Sequence, residues 1–165
     1  CLWPLLSQGL ETALDALKSM RLQEGTFLRQ DLQGRIATIA QHVGTIRQRV
    51  PRMVIEYQQR LEQRVKDWFS QLALDPDRVA QEVVLFAERS DITEELTRLE
   101  AHLQALAALL TSKEAVGRKI EFLVQEMHRE INTIGSKSND VTIAHCVVDM
   151  KSELERCREQ VQNIE

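Results

Sequence analysis

Glycine, proline and aromatic residues are scarce in this sequence of 165 residues: six Gly, three Pro, four Phe, two Trp and one Tyr. That removes most of the turn residues and strand-forming aromatics on which a sheet protein draws. Cysteine is equally sparse. Cys1, Cys146 and Cys157 are an odd number with no Cys-x-x-Cys spacing, which argues against a disulfide framework and a zinc ribbon and points to a reducing, cytoplasmic compartment. No apolar run approaches the roughly 20 residues that cross a bilayer, and the opening Cys-Leu-Trp-Pro-Leu-Leu lacks the basic flank of a secretory signal. No membrane partner is expected. The abrupt start, at Cys rather than Met, suggests that an amino-terminal region of the full protein is absent.

Leu, Ala, Gln, Glu and Arg are abundant instead, the composition of a helix former. With 43% hydrophobic residues, a chain of this length can bury roughly 70% of its unfolded surface, enough for one ordinary core. An all-α fold follows. The net charge of -4 is unevenly spread. Up to Lys66 there are ten basic and six acidic residues, so this part carries +4 and the remainder -8. The split allows an electropositive arm for an anionic polymer and an acidic body for cations, although solvated helix faces would look the same.

Periodicity predicts about six helices. Leu10, Leu14, Leu17, Met20, Leu28, Leu32, Ile36, Ile39, Val43, Ile46 and Val50 recur in steps of three and four, with one gap, where Glu24 stands beside Gly25. A charged residue on that beat marks a local break, simple exposure or a buried acid. Pro51 predicts a kink or a new helix, after which Val54, Tyr57, Leu61, Val65, Trp68 and Leu72 resume the stripe. Two long helices with such a heptad-like seam need a facing partner, from later helices or another subunit. Asp75-Pro76 caps and opens a third helix through Val79, Val83 and Phe86. Asp91-Ile-Thr-Glu94 reads as a capping box for a helix carrying Ile92, Leu96, Leu99, Leu103, Leu106 and Leu110. Ser112 is the expected cap of the next, with Ile120, Leu123, Met127, Ile131 and Ile134 inward and Gly135 as terminator. A last helix runs through Val141, Ala144, Val148, Leu154, Val161 and Ile164. The chain thus divides into a long helical arm, 1–72, for oligomerisation or an anionic polymer, and a helical bundle, 73–165.

Two of these helices carry polar stripes that could hold chemistry. Asp91, Glu95, Arg98 and His102 share one face. Glu126 and Glu130 stand four apart on another, a like-charge pair that a bound cation would relieve. Packed leucine stripe to isoleucine stripe, the two helices would bring Asp91, Glu95, His102, Glu126 and Glu130 to one seam. Such oxygen-rich groups suit Mg²⁺ or Mn²⁺, which can activate water and stabilise charge on a phosphodiester. The simpler reading is also open: Asp91 and Glu94 as a cap, Glu95 with Arg98 and Glu126 with Arg129 as surface pairs, and His102 as an ordinary hydrogen-bonded histidine. His42, His128 and His145 show no partner pattern.

The run Ala87-Glu-Arg-Ser-Asp-Ile-Thr-Glu-Glu-Leu-Thr-Arg-Leu-Glu-Ala-His102 resembles the YicC family. So do Gly117-Arg-Lys-Ile-Glu-Phe-Leu-Val-Gln-Glu-Met-His-Arg-Glu-Ile-Asn-Thr-Ile-Gly-Ser-Lys137, Arg158-Glu-Gln-Val-Gln-Asn-Ile-Glu165, Met20-Arg-Leu-Gln-Glu-Gly25 and Arg49-Val-Pro51. The resemblance covers nearly the whole chain. It implies a divalent-metal-dependent endoribonuclease assembled as a homohexamer, with RNA as substrate and a separate amino-terminal region. Carried over by position, it implies that Glu95, His102, Glu126 and Glu130 are catalytic and that these, with Asp91, bind the metal. Arg89, Arg98, Arg129 and Lys137 would contact RNA, and Asn132 and Ser136 would orient it. His128 departs from the family's pattern, where Asn is expected. The rival reading is a non-catalytic helical scaffold that oligomerises and binds RNA or a nuclease partner.

Overall fold

Residues 3–68, 76–112 and 116–161 are described by a computed structural model. They form helices α1 (Trp3–Trp68), α2 (Pro76–Arg89), α3 (Thr93–Leu109), α4 (Gly117–Lys137) and α5 (Val141–Val161), with no strand among the described residues. The all-α expectation holds, but the described helices number five rather than six, because Pro51 does not divide α1. Pro51 has no N–H for the carbonyl one turn back, a loss that ordinarily breaks a helix. Here Arg49 reaches over it, donating from Nη1 and Nη2 to the two carboxylate oxygens of Glu56, each at 2.6 Å. Apolar residues on both sides also keep one phase, so Ile46 and Met53 are buried in the same core. The gap at Glu24 has an equally plain outcome. The helix runs on through Gly25, and Glu24 is exposed.

At 66 residues, α1 is roughly 100 Å long. Its middle, from Leu32 through Ile36, Ile39, Val43 and Ile46 to Met53, shares one hydrophobic core with α3, α4 and α5. Its first part does not. Leu10, Leu14, Leu17 and Met20, the start of the predicted seam, are 46% to 66% exposed among the described residues. α2 lies against α1 through a parallel stack of Tyr57 and Phe86, ring centroids 3.8 Å apart, and buries no residue of its own.

α3 and α4 pack antiparallel, as do α4 and α5. Gly135, expected to end α4, lies inside it, since the helix continues to Lys137. The position calls for glycine because of α5: a Cβ there would come within 3.1 Å of Val147 Cγ1. On α5 the predicted inward face is rotated. Val141 and Val148 are 74% and 64% exposed, whereas Ile143, Cys146, Val147, Met150, Leu154, Cys157 and Val161 are buried. Ile92 and Val116 stand at the N-caps of α3 and α4 without a side-chain capping bond of their own; in place of the Asp91–Glu94 box, Asp91 alone accepts the N–H of Thr93. The Trp68 side chain, Leu72, the Asp75 cap, the expected boundary between 72 and 73, and Ile164 lie outside the described residues.

Candidate functional site

Along the α3–α4 seam the leucine stripe of one helix meets the isoleucine stripe of the other, and the polar edges converge in rungs. Two rungs are filled by ion pairs. Glu95 and Glu130 are 4% and 6% exposed, a burial that disfavours an ionised carboxylate unless a cation comes with it. Lys137 Nζ donates to Glu95 Oε1 at 2.8 Å and to the Asp91 carbonyl at 3.2 Å. Arg98 donates from Nε and Nη2 to the two oxygens of Glu130 at 2.8 and 3.0 Å, the bidentate geometry that suits a guanidinium. Its Nη1 takes up Glu94, and Nη2 lies 3.6 Å from Glu95 Oε1. Burial pushes the Glu95 carboxyl up, but Lys137 and Arg98 together outweigh it and hold the group below the usual carboxylate range. Glu95 Oε2 alone has no hydrogen-bond partner among the described residues.

The next rung is different. Its register places His102 one turn beyond Arg98, opposite Glu126, which lies one turn before Glu130. Both are half-buried, and neither makes a hydrogen bond or ion pair among the described residues. Arg129, beside Glu126 on α4, is exposed and equally unpaired there. This rung thus combines a titratable imidazole, a free carboxylate and a free guanidinium.

The other expected site residues are distributed as follows. Asp91 Oδ1 accepts the Thr93 N–H at 2.9 Å. Asn132 Nδ2 lies 2.9 Å from His128 Nδ1, and Ser136 donates to the Thr133 carbonyl at 3.0 Å. Arg89 is exposed near the end of α2. Of the cations expected on RNA, then, Arg98 and Lys137 are engaged by buried carboxylates, while Arg89 and Arg129 point outward. The five expected metal ligands are not gathered into one cage, for no three His, Cys, Asp or Glu residues stand close enough to hold an ion among the described residues. The physical reason is charge: Arg98 and Lys137 already supply Glu130 and Glu95 with the positive partner that a metal would provide, and Asp91 is spent on the start of α3.

A second cluster was not singled out from the sequence. Arg49 also donates from Nε and Nη2 to Asp140 Oδ2 at 3.0 and 2.7 Å, tying α1 to the start of α5. Asp140 Oδ1 in turn accepts the N–H groups of Thr142 and Ile143, at 3.0 and 3.1 Å, and so caps α5. The signal was available, since Asp140 follows a Ser-rich loop and opens a helix, and Arg49 belongs to the Arg49-Val-Pro51 motif. Arg35 makes a parallel tie, donating to Asp31 and to Glu153 of α5 at 2.8 Å.

These networks predict an acid-sensitive fold. Glu56, Asp91, Glu95 and Asp140 are all held below the ordinary carboxylate range, by Arg49 for Glu56 and Asp140, by Thr93 for Asp91, and by Lys137 and Arg98 against burial for Glu95. Such groups bind protons more readily when unfolded, so their stabilisation is complete above about pH 4 and is lost as the pH falls through the depressed folded values. Urea midpoints should be flat from pH 7 to 5 and drop below about pH 4. A midpoint unchanged down to pH 2 would contradict the ion-pair assignment.

Residues 46–165 match the family described as endoribonuclease YicC-like, C-terminal. The protein named "Probable endoribonuclease YicC" of Clostridioides difficile (strain 630) is 42% identical over 165 residues, covering 99% of this chain and 56% of that protein. The protein of the same name from Haemophilus influenzae (strain ATCC 51907 / DSM 11121 / KW20 / Rd) is 42% identical over 164 residues, covering 97% and 56%. The chain therefore spans a little over half the length of these curated relatives. No described helix is long and apolar enough to cross a membrane. The family match extends over well more than half of the chain, α1 from Ile46 through α5, and on that ground the chain belongs to the YicC-like family.

Proposed function

We propose that this chain is the helical part of a cytoplasmic endoribonuclease and that RNA phosphodiester bonds are cut at the His102–Glu126 rung. One observation carries the reading: within a seam whose other acids are neutralised by Arg98 and Lys137, His102 and Glu126 are half-buried and, like the neighbouring Arg129, unpaired among the described residues. The relatives' printed name, probable endoribonuclease YicC, supports the same reaction class.

In this reading the imidazole of His102 accepts the proton of the attacking oxygen as that oxygen bonds to phosphorus, and the leaving ester oxygen takes a proton from solvent as its P–O bond breaks. Glu126, across the seam, stabilises the imidazole electrostatically once it is protonated. Arg129 holds a non-bridging phosphate oxygen, while Glu95, Glu130, Arg98 and Lys137 keep the two helices in register. Divalent-metal dependence remains part of the proposal, with Mg²⁺ or Mn²⁺ as the ion. Because the five expected ligands form no cage, such an ion would draw on Glu126 and on RNA phosphates, as Mg²⁺ often does, rather than on Asp91, Glu95 and Glu130. Homo-oligomerisation, with a hexamer as the expected form, is supported by the exposed α1 seam from Leu10 to Met20.

End-labelled RNA incubated with the protein should yield internal cuts that EDTA abolishes and Mn²⁺ restores, while the helical circular-dichroism signal stays constant throughout. Cutting that survives EDTA would remove the metal from the proposal. RNA bound but never cut, under every metal condition, would favour the scaffold reading.

A further inference from the structure

One exposed aromatic residue is explained neither by the core nor by the reaction centre. Phe122 on α4 is 61% exposed, and it falls off the beat of Ile120, Val124 and Met127 that faces inward. A single exposed apolar side chain is ordinary in itself; here its neighbours give it meaning. At about 100° per residue, Phe122, Arg129, Arg118 and Gln125 fan out from Glu126 across roughly 100° of the outward face of α4. Arg118 and Arg129 are exposed and have no acidic partner among the described residues. They stand about 16 Å apart along the helix axis, a span of a few nucleotides, with the ring between them. Glu121, toward the far edge, and Glu126, beside the reaction centre, are the acids on this face.

The same face leads into a cleft of about 210 Å³ between α4 and α5. Val124 and Leu154 give it an apolar floor, and Gln125, His128, Glu155 and Arg158 supply a polar rim. Arg158 is half exposed and lies 3.5 Å from Glu155, a loose surface pair that leaves donors available and offsets the acid of the rim. An exposed aromatic ring on a face with two guanidinium groups, beside a cleft edged by an amide, an imidazole, an arginine and its paired carboxylate, is chemistry that can hold unpaired bases.

We infer that the outward face of α4 is a single-stranded RNA platform, with one base stacked on Phe122, phosphates on Arg118 and Arg129, and a neighbouring base in the Gln125–His128–Arg158 cleft. The inference rests on the RNA-cutting reading and adds how the strand is presented to Glu126. A duplex, whose bases are already stacked, gains nothing from the ring, so the platform selects single strands.

The test is binding of a short labelled single-stranded RNA to the whole chain, followed by fluorescence anisotropy in the cold, before cutting sets in. Phe122→Ala should weaken binding about tenfold, as expected for loss of one stacked base, and Phe122→Trp should restore it. Arg118→Ala and Arg129→Ala should each flatten the salt dependence, because a phosphate contact is lost. Duplex RNA should bind more weakly and ignore Phe122→Ala. Affinity within twofold of the parent for Phe122→Ala overturns the platform. So does a change of oligomer mass by light scattering without a change in RNA affinity, which would make this face a contact between copies. If Phe122→Ala is silent while His102→Ala still abolishes cutting, only this inference fails. If Phe122→Ala weakens binding and His102→Ala cuts normally, the platform stands and the reaction centre must be sought elsewhere.

Discussion

Lys137→Met is expected to lower the unfolding free energy by about 2 kcal/mol, and adding Glu95→Gln should return most of that loss. Breaking a buried ion pair by removing one partner costs roughly 3–5 kcal/mol, because the other charge is left behind without compensation. The estimate is reduced here because the Lys137 side chain is 40% exposed and water can take over part of its role. What remains is the burden of Glu95, 4% exposed, whose other cation among the described residues is Arg98 at 3.6 Å. Converting Glu95 to an amide removes the stranded charge, so the double variant should lie near the parent although it has lost the pair entirely. Urea midpoints of the parent, the two single variants and the double variant measure this directly. An unchanged midpoint for Lys137→Met would mean that the seam is held by its leucine and isoleucine stripes alone.

His102→Ala and Glu126→Gln should do the opposite: leave stability within about 0.5 kcal/mol and lower RNA cleavage by about 10²- to 10⁴-fold each. Neither side chain has a partner among the described residues whose loss would unsettle the fold. Acting as one unit, their effects should not add, and the double variant should be about as slow as the slower single. Parent-level cleavage in both would remove the rung from the reaction, whatever the fate of the ion-paired residues. Together the two sets of variants divide the seam into a part that holds and a part that reacts.

Much of this was legible in the sequence, and the failures have separate physical causes. The stripe from Leu32 to Ile46, the leucines of α3 and the isoleucines of α4 are all where the three-and-four spacing puts them, because burial of a helix face strongly favours apolar residues. α5 was misphased for a simple reason: Val147 and Val148 are adjacent, and a count that starts at Val141 selects the wrong one. Beginning at Ile143 and admitting Cys146, Met150 and Cys157 as core residues gives the observed face, since free cysteine and methionine behave as hydrophobes. Local propensity breaks the helix at Pro51 and ends it at Gly135, but tertiary contacts override it, through the Arg49–Asp140 tie and the core packing of Ile46 and Met53 at one and the approach of Val147 at the other.

In the candidate site the residues were legible and their partners were not. Spacing along one helix suggests Glu126 with Arg129, but it cannot show that Arg98 prefers Glu130 on the facing helix or that Lys137 reaches Glu95. Those choices depend on the antiparallel register, which is a property of packing. They also decide which acids already hold a cationic partner, Glu95 and Glu130 among them.

The unbroken run of α1 through Pro51 has a mechanical consequence. Arg35 and Arg49 fasten the rod to α5 at two points, while the portion before Leu32, roughly 44 Å of helix, extends beyond them. A body clamped in this way acts as a lever. A tilt of about ten degrees at the fastening would sweep the Trp3 end through roughly 8 Å, given the rise of the helix. Whatever grips the far end of α1 therefore gains leverage over the helices that carry the seam, and a small torque at the arm becomes a strain at Asp140 and the first turn of α5.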